Sequence, residues 1–96
     1  MTNFTIRVLL EAEADEDDYA RLDSVMKRSE IQNTITSELG KKYQLPPGEY
    51  SYSGEIDRKS LLEKVKAAAG ELAKPYSVLI TESRGRTWYN LDRRDE

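Results

Sequence analysis

A chain of 96 residues with no cysteine or histidine, and with 15 Lys and Arg against 18 Asp and Glu, has room for one modest core and no staple to hold it. The missing residue types exclude a disulfide framework, an imidazole or thiolate metal site, and any Ser–His–Asp or Cys–His nucleophile within the chain. Hydrolytic chemistry would have to run on carboxylates, arginines, hydroxyls or a carboxylate-bound hard cation such as magnesium. A net charge of −3 is not the basic field of a general nucleic-acid binder, so the placement of charge matters more than its sum.

The first predicted element is the run NFTIRVLL. Phe4, Ile6, Val8 and Leu10 point one way and Thr5, Arg7 and Leu9 the other, the period-2 signature of a strand with one face in a core. The acidic run EAEADEDD follows, and negative charge there opposes the positive end of a helix dipole. With Asp15 as N-cap, Tyr19, Leu22, Val25 and Met26 at helical spacing, and Lys27 and Arg28 in the last turn, the first helix is expected over about Asp15–Ser29. IQNTITS and KKYQL read as the arms of a hairpin joined at ELG. The prolines of PPGE deny the ladder two donors, so the second arm is expected to kink before YSYSGE resumes extended structure.

DRKSLLEKVKAAAGELAK predicts a second helix over about Asp57–Lys74, stopped by Pro75, with Leu61, Leu62, Val65, Ala68, Ala69 and Leu72 as its buried stripe. YSVLITE is the last core strand, with Tyr76, Val78 and Ile80 inward. Next, SRGR is expected as a tight turn with Gly85 at positive φ, TWYNL as a short extra C-terminal strand with Trp88 largely buried, and residues 92–96 as a solvated tail. The order β-α-β-β-α-β is that of an α+β, ferredoxin-like (split βαβ) sandwich, one domain over residues 1–96. No apolar run approaches the ~20 residues that span a membrane, and MTNFTIRVLL has no signal-peptide pattern, so a cytoplasmic protein is expected.

Three places hold candidate chemistry. The uncovered sheet face, with Thr5, Arg7, Leu9, Thr34, Thr36, Leu79 and Thr81, lacks the aromatic residues on which RNA bases stack and predicts a packing surface, as in a homodimer. The acidic run starting at Glu11 offers carboxylates for magnesium, and capping explains the same residues without a metal. Arg84 and Arg86 flank Gly85 beside Trp88 and Tyr89, a set suited to phosphates and unpaired bases. Arg7, Arg84 and Arg86 are therefore the candidates for transition-state charge stabilisation, and Glu11 and Glu82 for base or metal ligand. Lys41 and Lys42 join the arginines as candidates for binding RNA or a protein partner.

The segments FTIRV, DDY, TITS with GKKYQLPPGEYSYSGEI, and YSVLITESRGRTWYNL resemble the GhoS-type antitoxins of type V toxin–antitoxin systems and their prophage relatives. The resemblance runs from about Asn3 to Leu91. It implies a ferredoxin-like fold and an endoribonuclease that cuts the messenger of a membrane-lytic toxin. The alternative for a chain of this kind is a non-enzymatic phage or prophage inhibitor that holds a host defence protein through its sheet face or acidic surface.

Overall fold

A computed structural model of the chain describes residues 1–11 and 13–94. Alternation dictates the centre of the fold. In β1 (Thr2–Leu10) the side chains of Phe4, Ile6, Val8 and Leu10 are all buried, and those of Arg7 and Leu9 stand in solvent. β1 lies between β4 (Glu49–Gly54) and β5 (Tyr76–Ser83), antiparallel to both, with Ile6 opposite Tyr50 on one side and Ile80 on the other. A fully buried stripe of Leu22 and Met26 from α1 (Glu16–Arg28) and Leu61 and Val65 from α2 (Arg58–Ala69) packs on the Phe4 face. The first helix begins where expected. The Asp15 carboxylate accepts from the Asp18 N–H at 2.9 Å and Asp18 returns the bond to the Asp15 N–H at 3.1 Å, a reciprocal capping box.

The second helix is shorter than its periodicity suggests. Asp57 caps it, accepting from Ser60 N–H at 2.7 Å, but beyond Ala69 the chain tightens into a 3-10 turn over Gly70–Leu72 and leaves through Ala73 at φ 55°. Leu72 still reaches the core from that turn, whereas Leu62 is half-buried. Tyr19, Val78 and Ile80 pack against the core only partly buried; for the last two the cause is the edge position of β5.

The remaining strands form a second small antiparallel sheet. β2 (Thr34–Thr36) pairs with β3 (Lys42–Gln44), and β3 pairs with β6 (Arg93–Arg94). The kink expected at the prolines moves the chain from β3 in this sheet to β4 in the other. Gly48 makes the transfer possible at φ +82°, where a Cβ would lie 2.5 Å from the Val8 carbonyl oxygen. A single antiparallel bridge, Gln32 to Ser51, connects the two sheets, with N–H to oxygen distances of 3.0 and 2.8 Å. Among the described residues the architecture is thus α+β, with two α-helices and two three-stranded antiparallel sheets.

The C-terminal expectations need correction. TWYNL forms no strand and SRGR no hairpin turn; Gly85 does not have positive φ, and the left-handed residue of the segment is Asn90 at φ 59°. A hairpin would have returned along the free edge of β5. The chain instead turns back towards β1, because the Arg86 guanidinium finds its hydrogen-bond acceptors there. Trp88 is half-buried, its ring tilted 55° against Tyr43 with centroids 5.4 Å apart. Part of the expected solvated tail is structured: the Asp92 carbonyl accepts from Gln44 N–H at 2.7 Å, and Arg93 and Arg94 form β6. Residues 95 and 96 of that tail lie outside the described residues.

Candidate functional site

The first residues after β5 are tied to β1 by one side chain. Arg86 donates from Nη2 to the Phe4 carbonyl at 2.6 Å and from Nε to Thr5 Oγ1 at 2.9 Å. Its guanidinium is partly withdrawn from water, and that burial lowers its pKa from the ordinary value. A guanidinium is the one cation that can serve here, since its planar fork meets two acceptors at once and it stays charged after partial desolvation. Arg86 thereby acts as an anchor, with Nε and Nη2 engaged on β1.

The anchor shapes a cleft of about 230 Å³ between the Arg84–Trp88 segment and the start of the β2–β3 turn. Exposed Arg84 and half-buried Trp88 line one wall, Glu38 and Ser37 the other, and Asn3 and Ser83 are among its polar lining. The turn carrying Glu38 is well specified. Gly40 N–H donates to the Ser37 carbonyl at 2.9 Å, Lys41 N–H to Ser37 Oγ at 3.1 Å, and Gly40 sits at φ +81°. A guanidinium and a carboxylate thus share one polar recess beside an aromatic pair.

The other predicted residues divide. Arg7 is exposed on the open face of β1, two positions along the same face from the Thr5 that binds Arg86. Glu11 lies past the opposite end of β1, six residues from Thr5, which at strand rise is about 20 Å. Glu82 is on the helix-covered side, register partner of Phe4, with Arg58 Nε 4.0 Å away. Neither carboxylate meets the arginines. Lys41 stands at the β2–β3 turn, while Lys42 lines a separate cleft of about 170 Å³ with Lys27, Asp23 and Arg94. Asp15 and Asp18 of the acidic run form the helix capping box. Asp18 also receives Lys74 Nζ at 3.0 Å, and the Asp15 N–H followed by Lys74 holds its carboxyl below the usual range. Among the described residues no group of three or more Asp or Glu side chains is placed to hold a metal ion.

Sequence reasoning missed Glu38, which reads only as part of a polar turn, and the pair Tyr50–Asp23. Tyr50 is wholly buried and donates to Asp23 Oδ1 at 2.6 Å, while Asn33 Nδ2 reaches Asp23 Oδ2 at 3.4 Å. Burial and the neighbouring carboxylate push the phenol pKa far upward, so the group serves as a neutral donor that ties β4 to α1. Alternation could have placed Tyr50 inward, but only the fold brings Asp23 to it.

The open sheet face keeps two large apolar side chains in solvent, Leu9 at 51% and Leu79 at 64% exposure. Among the described residues no helix is long and apolar enough to cross a membrane. Neither a scan against protein-family models nor a search of curated proteins returned a match to this chain.

Proposed function

We propose that this chain is a ferredoxin-like, cytoplasmic antitoxin-type endoribonuclease that cuts single-stranded messenger RNA in the cleft of Arg84 and Glu38. The fold part of the reading rests on strand order. β5-β1-β4 continues through the Gln32–Ser51 bridge to the β2 arm, the sequence of strands in a split βαβ sheet whose fourth member has peeled away. The chemical part rests on one observation: the anchored segment sets an exposed guanidinium and a carboxylate around a single polar recess.

In that recess Arg84 pairs with the non-bridging oxygens of a phosphodiester and offsets the charge that builds there. Glu38 takes the proton of the ribose 2′-hydroxyl as its oxygen attacks phosphorus. The bond from phosphorus to the 5′-oxygen breaks, and water supplies the proton to the leaving oxygen. The products are a 2′,3′-cyclic phosphate and a 5′-hydroxyl end. No histidine is required. The face of Trp88, beside Tyr43, offers a ring to an adjoining base.

The test is incubation of the chain with a labelled RNA pool, with and without magnesium. Fragments ending in cyclic phosphate are expected, with Glu38→Gln reducing the rate by about 10²–10⁴-fold, the usual weight of a general base. RNA bearing 2′-O-methyl groups should be left whole. An RNA pool that stays intact under both conditions overturns the nuclease reading. A second reading is favoured by Leu9 and Leu79, whose exposure suits a protein partner and the role of a phage or prophage inhibitor of a host defence protein. That reading expects binding of the host protein to survive Arg84→Ala and to fail on Leu9→Asp.

A further inference from the structure

β5 is a long edge strand whose one charged side chain, Glu82, stands near its end with Arg58 Nε 4.0 Å away. It carries no Lys, Arg or Pro from Tyr76 to Ser83, and its register with β1 runs unbroken from Leu10–Tyr76 to Asn3–Ser83, with no bulge to twist the edge away. The opposite edge of the same sheet is blocked, since Ser51 of β4 exchanges two backbone hydrogen bonds with Gln32.

The direction of the free backbone groups follows from two bonds. Glu11 N–H donates to the Pro75 carbonyl, continuing the register Leu9–Ser77, so the odd-numbered residues of β1 and β5 bond to each other. Val8 N–H donates to Gly48, continuing Arg7–Glu49, so the even residues of β1 bond to β4. The N–H and C=O groups of Tyr76, Val78, Ile80 and Glu82 therefore point off the edge, and no other backbone group among the described residues meets them.

We infer that this edge pairs with the β5 edge of a second copy of the chain, antiparallel, about a two-fold axis at Leu79. The register is constrained. Residues opposite one another must lie on the same face, so the two positions must sum to an even number; an odd sum would place the helices of the two copies on opposite sides. Centring on Leu79 sets Val78 against Ile80 twice and Tyr76 against Glu82 twice, the hydrogen-bonded pairs, all even residues with outward backbone groups. Centring on Ile80 would set the Glu82 carboxylate against Val78. At the axis Leu79 meets Leu79 in a non-hydrogen-bonded pair, where side chains approach most closely. Leu9, diagonal to Leu79 within each copy, extends this contact into a stripe of leucines. Leu79 gains a neighbour across the axis on the open face, and three strands from each copy make one continuous sheet. The inference stands apart from the RNA reading and does not depend on it.

A chain without cysteine allows a direct test. In Leu79→Cys the two thiols face each other across a pair whose Cα atoms are about 4.5 Å apart, within disulfide reach. In Leu9→Cys they lie three strand spacings apart and, since Leu9 is level with Ser77, four residues apart along the strands, about 20 Å in all and out of reach. The unmodified chain should sediment at twice its own mass at tens of micromolar, and mild oxidation should give covalent dimer from Leu79→Cys and little from Leu9→Cys. Sedimentation at the mass of one chain overturns the proposal. So does cross-linking of Leu9→Cys as readily as Leu79→Cys, the outcome expected if two open sheet faces stack.

Discussion

Replacing Arg86 by alanine separates an anchor from an exposed grip. The substitution removes two charge-assisted hydrogen bonds, to Phe4 O at 2.6 Å and Thr5 Oγ1 at 2.9 Å. Bonds of this kind contribute about 1.5–3 kcal/mol each when buried. The guanidinium is only half-buried, so water screens and replaces part of that, and the loss expected for both bonds together is about 2 kcal/mol. For a domain of this size the Tm should fall by roughly 8–16 °C. Arg84→Ala, at an exposed position, should cost under about 0.5 kcal/mol. Urea denaturation followed by circular dichroism gives the stability difference. The only tryptophan, Trp88, lies two residues from Arg86 and reports locally, so its emission should move to longer wavelength in Arg86→Ala before the main transition begins. Arg86→Lys keeps the charge but not the fork, and should recover less than half of the loss. If Arg86→Ala and Arg84→Ala agree within 0.5 kcal/mol in roughly the sense of a surface change, and Trp88 emission is unmoved in both, the anchor assignment is wrong.

Gly48→Ala should destabilise by more than about 1 kcal/mol, since alanine is strained at positive φ and its Cβ would meet the Val8 carbonyl at 2.5 Å; a melting curve that overlays the parent refutes the close approach. Val65→Asp places a carboxylate in the fully buried stripe and should cost several kcal/mol, read as a loss of cooperative unfolding at 25 °C. Asp18 has a depressed pKa in the folded chain, so its contribution is present above the unfolded value near 3.8 and is lost as pH falls through the lower folded value. Asp18→Asn should therefore be less stable than the parent at pH 7, with the gap closing in acid; a gap that stays constant down to pH 2 removes the carboxylate from the explanation.

The elements legible in the sequence share a physical trait: each is decided by residues close together along the chain. The capping box needs only Asp15 and Asp18, and both helix starts were readable for that reason. The alternation of Phe4, Ile6, Val8 and Leu10 fixes the buried face of β1 before any partner is known. What the sequence concealed depends on groups brought together by the fold. Arg86 meets Thr5 across 81 positions, and Tyr50 meets Asp23 across 27. The SRGR stretch misleads for the same reason. Its local chemistry, Gly85 between polar neighbours, favours a turn, but a hairpin would have left Arg86 without its two acceptors on β1 and would have covered the edge of β5. By crossing back to β1, the segment turns one arginine inward, leaves the other beside Glu38, and keeps the β5 edge open. The cleft and the edge are thus consequences of the same change of direction. A variant that frees the segment by losing the Arg86 contacts should disturb the cleft while leaving the β1–β5 register, and with it any pairing through Leu79, in place.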